Sequence, residues 1–404
     1  MKSQLIAFTL IAATASGIAL YPSLQNAATL PAVSNNPVKL PPIAAIANQQ
    51  QHIEVVFVLD TTGSMGGLIK AAKEKIWSIA SNMAAAESAP EIRMGLVAYR
   101  DRGDAYVTRT VDLSSDLDSV YATLMDFQAD GGGDSPESVN QALDDALNKI
   151  SWSRDQNSYK VIFVVGDAPP HMDYQDDVKY PLTLAKARAR GIVVNSIQCG
   201  SSSATTHRWK QIAQLGSGHY FQVEQAGSAV AIATPYDEKI ARLSKQLDDT
   251  RLYYGGKEAK EKQRKKMLAT DKLHADSSVE SLARRAAFNA STSGKANSLG
   301  EGELVDAVNS GRVDLESIKK DQLPEPMQAM SPSTQKALIA DTAKRRSELS
   351  EEIGALTRQR AGYLEEKVAE SGDAEASLDH KIFSAVRKQA KEKGLKYESD
   401  KMAY

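Results

Sequence analysis

The hydrophobic positions divide the chain into two kinds of pattern. Between residues 53 and 223, short apolar runs alternate with stretches of helical spacing. Ile53–Leu59 (IEVVFVL) is nearly continuous and rich in β-branched residues, as a strand buried on both faces requires. It ends at Asp60. Apolar residues then recur at Ile69, Ala72, Ile76, Ile79 and Met83, the spacing of one helix face. Arg93–Ala98 reads as a second strand and Val107–Val111 as a third, followed by helical patterns over 115–127 and 137–150. Lys160–Val165 (KVIFVV) is another buried strand, and it too runs into an aspartate, Asp167. A helix over 178–190 stops at Gly191, Ile192–Gln198 is a strand, 205–214 a short helix and His219–Val223 a last strand. This alternation predicts an α/β fold, a doubly wound, mostly parallel sheet covered on both faces. Ligands of such sheets bind outside the carboxyl ends of the strands, where Asp60 and Asp167 both sit.

From residue 236 onward the pattern is helical. Tyr236–Tyr254 predicts a helix ended by Gly255-Gly256, Lys257–Lys266 a solvated helix of mixed charge, 277–290 another helix and Glu303–Val308 a short one. Leu323-Pro-Glu-Pro326 breaks the pattern, and Ser331-Pro332 starts the longest helix, 333–370, with Ser331 as N-cap. Leu349, Ile353, Leu356 and Tyr363 keep heptad spacing with Arg360 in the seam. That stretch is under three heptads, which fits a helical hairpin or dimer contact better than a long coiled coil. Lys381, Arg387, Lys388, Lys391, Lys393 and Lys396 are interspersed on a terminal helix, as on a solvated face.

The first fifty residues are different again. A basic start at Lys2 leads into the apolar run Leu5–Ala13, followed by small residues at Ala13, Ala15, Gly17 and Ala19. Residues 1–21 therefore read as a secretory signal peptide, or as an uncleaved N-terminal anchor, and 22–50, with five prolines, as a linker. The domain plan is 1–21, 22–50, an α/β domain over 51–235 and a helical region over 236–404. The expected location is periplasmic or secreted, or alternatively the inner membrane through the N-terminal segment.

Charge follows the same boundaries. The chain has 404 residues and a net charge of −2, but 51–235 holds 22 acidic against 16 basic side chains and 236–404 holds 29 against 31. The near-neutral total gives no reason to expect nucleic-acid binding. One cysteine, Cys199, excludes an intrachain disulfide framework and a cysteine-rich zinc site.

The chemistry concentrates at the strand ends. Asp60-Thr61-Thr62-Gly63-Ser64 places a carboxylate and two hydroxyls at alternate positions of a tight loop, a donor set suited to a hard divalent cation. Asp134-Ser135-Pro136-Glu137 follows three glycines that let the backbone turn sharply, and Asp167 adds a further carboxylate. A lone aspartate in such a place is usually a turn or helix cap; three acidic loops at compatible strand ends point to a ligand.

These residues resemble the von Willebrand factor type A (VWA) domain over about 52–225. The family's metal-ion-dependent adhesion site uses Asp-x-Ser/Thr-x-Ser after the first strand, matched by Asp60, Thr62 and Ser64, and an aspartate on a later strand end, matched by Asp167. The GGGDSPE loop looks like the integrin β-subunit version, in which a glutamate, here Glu137, approaches the metal. The resemblance also implies a neighbouring second-metal site lined by Asp101, Asp134, the Pro136 carbonyl and Glu137. The acidic pair that follows the first motif in integrin β subunits is absent, with Gly66 and Gly67 there instead. The family is non-enzymatic, so no catalytic residue is implied. The resemblance implies an Mg²⁺ (or Mn²⁺/Ca²⁺) ion completed by the carboxylate of a protein ligand, in an envelope adhesion or interaction module. Similar domains occur in bacterial secreted proteins. The sequence does not set the oligomeric state.

Two other readings compete. The apolar strand followed by Asp-x-Thr-Gly-Ser also resembles the nucleophile loop of haloacid-dehalogenase-type phosphotransferases, with Asp60 as nucleophile and Gly166-Asp167 with Asp173 as a loose Mg²⁺ loop. Thr62 stands where a phosphatase's acid/base carboxylate belongs, and GGGDSPE has no role there. The other is a structural envelope scaffold whose metal merely stabilises the loops. His171 reads as a solvated or capping loop residue, Cys199 as an inert packed thiol, and Arg102-Gly103-Asp104 as a chance tripeptide.

Overall fold

Six strands, β1 (His52–Asp60), β2 (Glu91–Tyr99), β3 (Thr108–Ser114), β4 (Tyr159–Gly166), β5 (Ile192–Cys199) and β6 (Ser217–Val223), form one sheet in the order β3-β2-β1-β4-β5-β6. The computed structural model describes residues 51–133, 135–227, 232–371 and 378–397. The signal-peptide or anchor segment, the Pro-rich linker and Asp134 lie outside the described residues. Every neighbouring pair is parallel except β2 with the edge strand β3. The α/β, mostly parallel fold expected from the sequence is the one observed.

Side-chain alternation supplies the two cores. Val55, Phe57 and Leu59 of β1, with Val161, Phe163 and Val165 of β4, face the helices α1 (Gly66–Ala84) and α2 (Leu117–Met125). Val56, Val58, Ile162 and Val164 face the opposite side, toward α3 (Val139–Asn148), α4 (Tyr180–Ala189) and α5 (Ser203–Leu215). Both faces of the central strands are thus filled, which is why those strands read as unbroken apolar runs. Asp60 pairs in register with Tyr99, and Leu59 with Val165, so β1 and β4 deliver Asp60 and Asp167 to the same edge.

The helical region departs from expectation in instructive ways. The first helix, α6 (Asp237–Asp248), stops short of Tyr254. The Thr250 hydroxyl donates to the Leu247 carbonyl at 2.6 Å and Arg251 Nε to the Asp248 carbonyl at 3.0 Å, so side chains take up the orphan carbonyls of the last turn. The next helix, α7 (Lys257–Asp276), is longer than the solvated segment predicted and buries one face against α2. Lys266 is sequestered because its ammonium lies 2.6 Å from Asp116, and Thr270 donates to Asp118 at 2.9 Å. α8 (Val279–Ala290) packs on α1 and α6, followed by the short α9 (Lys295–Leu299) and α10 (Leu304–Asn309).

The long helix α11 (Pro332–Ser371) carries the heptad residues, and their seam is taken up within the chain. Leu349 and Ile353 join Ile240 and Leu243 of α6 and Ala283 and Ala286 of α8 in one apolar cluster. Arg360 is buried there, with Nε 2.7 Å from Asp237.

The final helix, α12 (Leu378–Ala390), returns to the sheet. Leu378, Ile382, Ala385, Val386, Ala390 and Leu395 belong to the same apolar cluster as β1, β4 and α1. Beyond it, the Lys396 carbonyl accepts from Glu87 N at 2.9 Å and Gln51 Nε2 donates to the Lys393 carbonyl at 3.2 Å. The side of the helix opposite its lysines is therefore core. Among the described residues no helix is long and apolar enough to cross a membrane.

Candidate metal centre

The first loop is built around Asp60. As the last residue of β1 it is fully buried, and its Oδ1 accepts from the Thr62 amide at 2.9 Å and the Thr62 hydroxyl at 2.6 Å. Ser64 Oγ lies 3.5 Å from Thr62 Oγ1, at the solvent side of the loop. Asp60 Oδ2 accepts no hydrogen bond of ordinary geometry, although the Tyr99 hydroxyl stands close enough to lower the Asp60 pKa a little. Burial pushes the Asp60 pKa up to about 7, against the lowering effect of the Thr62 hydrogen bonds. Gly166 is required beside it: a Cβ there would stand 2.4 Å from the Tyr99 hydroxyl and 3.0 Å from Asp60 Oδ2.

Glu137 enters from a second loop. Its amide donates to the Pro169 carbonyl at 2.9 Å, and its carbonyl accepts from the His171 amide at 3.0 Å. The Pro169-Pro170-His171 segment that follows Asp167 therefore clamps Glu137 in place. The Glu137 side chain is buried, and its Oε2 is without a partner. A Cβ on Gly132, which has φ +74°, would lie 2.9 Å from Thr62 Cβ and 3.3 Å from Glu137 Oε1, so the glycine loop brings Thr62 and Glu137 together. Burial, then the charges of Asp60 and Asp101, push the Glu137 pKa up to about 9. Tyr99 beneath is also held protonated, by burial first and then by Asp60, Glu137 and Asp167. Asp167, half-buried, accepts at Oδ2 from Gln225 Nε2 at 2.6 Å.

Arg100 was not singled out from the sequence, because a basic residue in an acidic loop carries no motif. It is buried and spans the site: Nε donates to the Thr61 carbonyl at 3.2 Å and a terminal nitrogen to the Gln128 carbonyl at 2.9 Å. With the bonds Gly63 N to Gly131 O (3.1 Å) and Asp130 N to Thr61 O (3.1 Å), it ties the glycine loop to the Asp60 loop.

The neighbouring position is differently furnished. Asp101 Oδ1 accepts from the Ser138 hydroxyl at 2.7 Å and Oδ2 from the Tyr174 hydroxyl at 2.8 Å, and His171 Nε2 lies 3.3 Å from that Oδ2. His171 is buried, not solvated: its ring stacks on Tyr174 with centroids 3.9 Å apart, and Nδ1 is 2.8 Å from Asp173. Asp101, Pro136 and Glu137 are close in the fold, while Asp134, the fourth residue of that set, lies outside the described residues. Asp104 and Arg102 are also used internally. Asp104 accepts from the amides of Asp101 and Gly132, and Arg102 pairs with Asp176 and Asp177 at 2.9 and 2.7 Å. Asp173, largely exposed, is engaged by His171 Nδ1.

Among the described residues, no three His, Cys, Asp or Glu side chains by themselves form a metal-holding group. The donor set that fits a cation relies on the Thr62 and Ser64 hydroxyls beside the carboxylates. The two orphaned, buried carboxylate oxygens of Asp60 and Glu137 are groups that a hard cation satisfies.

Known proteins match part of this chain. Residues 54–235 match the von Willebrand factor A domain family. A 114-residue stretch, 28% of this chain, is 40% identical to von Willebrand factor A domain-containing protein 7 of Rattus norvegicus, of which it covers 12%. The chain spans only 12% of the length of that relative and of a mimivirus ariadne-like RING finger protein, 28% identical over 124 residues. Among solved structures, BatB of Bacteroides thetaiotaomicron is 17% identical, with 43% of this chain and 90% of that chain covered, at a TM-score of 0.34. The chain carries a VWA domain.

Proposed function

We propose that this chain is a divalent-metal-dependent protein-binding module of the cell envelope. The observation that carries the reading is the pair of buried carboxylate oxygens without an ordinary hydrogen-bond partner, Asp60 Oδ2 and Glu137 Oε2, on neighbouring loops, the first of which also carries the Thr62 and Ser64 hydroxyls. Burying carboxylate there without a counter-charge is costly, and a cation offsets that cost. Asp60, Thr62, Ser64, Glu137 and Asp167 would hold it, with Mg²⁺ as the expected ion and Mn²⁺ or Ca²⁺ as substitutes. When bound, the ion supplies an oxygen-seeking centre at the domain surface.

The chain's own contribution is restraint. Thr62 pins one oxygen of Asp60 and leaves the other for the cation. The Pro169–His171 segment fixes Glu137, and Ser64 sits at the rim, where a partner approaches. Because two donors are neutral hydroxyls, the cation keeps enough charge to take an Asp or Glu carboxylate from a protein partner, which then acts as the centre of the contact. The basic-then-apolar N-terminal pattern supports export. We assign the domain binding rather than catalysis.

The test is capture from an envelope extract by the full chain, with and without EDTA, beside the Asp60→Ala variant. Cation-dependent capture that Asp60→Ala abolishes is expected. Capture indifferent to both treatments overturns the reading, and cation binding without any capture favours a purely structural ion.

A further inference from the structure

The turn after β6 sits on the metal centre, and nothing in the motif pattern calls for it. Gln225 extends its amide across the Asp60 loop: Nε2 donates to Asp167 Oδ2 at 2.6 Å and to the Ser64 carbonyl at 3.4 Å. Three glycines make room for this turn. Gly200, at φ +72°, would place a Cβ 2.5 Å from Gln225 Oε1. Gly67, in the first turn of α1, would place one 2.9 Å from Ala226 Cα. Gly227, at φ +76°, packs against Leu68 and Ala71. A glycine at 67 is therefore explained by packing: the turn occupies space that a side chain at the start of α1 would fill.

We propose that Gln225 is a positioning residue of the metal centre, whose amide holds one oxygen of Asp167 and the Ser64 carbonyl in fixed relation and leaves the other Asp167 oxygen to face the cation. The proposal rests on the cation-binding reading above. A ligating carboxylate is oriented by the hydrogen bond it accepts, and losing such a partner typically weakens metal affinity by about 10–100-fold. The same amide couples two strand ends and a loop, Asp167 after β4, Ser64 after β1 and the exit of β6, so its effect is on geometry rather than on ligand count.

The experiment is Mn²⁺ titration of the full chain, read by the electron paramagnetic resonance signal of free Mn²⁺, with melting of the metal-free proteins in parallel. Gln225→Ala is expected to weaken Mn²⁺ binding by about tenfold while the metal-free melting temperature stays near wild type. Gln225→Glu removes the donor but adds a carboxylate of the same length beside the cation, so its affinity is expected to exceed that of Gln225→Ala. Gly67→Ala, which deletes no donor but displaces the turn, is expected to weaken binding as well. Wild-type Mn²⁺ affinity in Gln225→Ala overturns the inference and leaves the cation site standing. Equal weakening in Gln225→Ala and Gln225→Glu, with a matching loss of metal-free stability, also overturns it by reducing Gln225 to a structural turn residue. No Mn²⁺ binding by the wild type overturns the cation reading itself, and this inference with it.

Discussion

Gln389 on the last helix and Asn195 in the middle of β5 exchange two side-chain hydrogen bonds, Gln389 Nε2 to Asn195 Oδ1 at 2.7 Å and Asn195 Nδ2 to Gln389 Oε1 at 3.1 Å. The Tyr159 hydroxyl of β4 donates to the same Gln389 oxygen at 2.7 Å. Asn195 and Tyr159 are essentially inaccessible to water, so the helix supplies the only described side-chain partner of the Tyr159 hydroxyl. Gln389→Ala is expected to destabilise the fold by about 2–4 kcal/mol, since each buried polar group left unpaired costs about 1–3 kcal/mol. Urea denaturation measures this. A loss under about 0.5 kcal/mol, the size of an ordinary surface change, would show that the helix does not close the sheet.

Cation uptake should displace protons. Asp60 and Glu137, pushed up to about 7 and about 9 by burial, retain protons in the metal-free folded chain that the unfolded chain has given up. Their contribution to stability is full below the ordinary carboxylate range and is lost as pH rises through 7 toward 9. A divalent cation replaces those protons, so it should raise the melting temperature more at pH 8 than at pH 5.5. At a hundredfold excess over Kd the stabilisation is about 2.7 kcal/mol. Identical Mg²⁺ effects at the two pH values, or an undiminished effect in Asp60→Ala, would contradict this.

The helical region is locked to the α/β domain through Arg285. Its guanidinium lies 2.7 and 2.6 Å from the two oxygens of Asp118 on α2 and 2.7 Å from Asp248 on α6, all buried. Removing one partner of a buried ion pair costs about 3–5 kcal/mol, so Arg285→Leu should unfold at markedly lower urea. Burial opposes ionisation of both aspartates, but Arg285 outweighs it, holding Asp248 at about 2 and Asp118 lower still. These folded-state values lie below the ordinary range, so their stabilisation is present above about pH 4 and is lost as pH falls toward 2. Acid titration of stability in wild type and Arg285→Leu reads this directly: the variant should lose less between pH 4 and pH 2.

Cys199 should be silent toward thiol reagents. It is buried at the end of β5, and burial, then the nearby Asp167 and Asp60 charges, push its thiol well above the usual range. Thiolate is the reactive form. A disulfide-exchange dye should therefore react only at the rate of unfolding; prompt reaction in the native state would refute the burial.

Much of the sheet was legible because β1 and β4 are short apolar runs rich in β-branched residues that lead into aspartates, Asp60 and Asp167. Asp60, Thr62 and Ser64 were legible for the same reason: their spacing is local. Gln225 was not, because its importance lies in a contact across 58 residues with Asp167. His171 was read as solvated because a single loop histidine gives no hint of the Tyr174 ring that covers it. The terminal helix was legible from its interspersed basic residues, but a solvated face says nothing of what the opposite face covers. The heptad residues of α11 illustrate the same limit, since their partners proved to be α6 and α8 of the same chain.

The return of α12 to the sheet also sets an order of events in folding. Gln51 and Lys393 meet across 342 residues of sequence. A growing chain that has completed all six strands still lacks the apolar side chains of Leu378, Ile382 and Val386 that cover one face of them. Non-local closure of this kind is slow, and the uncovered face is sticky while it waits. Synthesis through about residue 395 therefore precedes completion of this core. Chains cut short before about residue 390 should collect as aggregates, although every residue of the metal centre is already present in them.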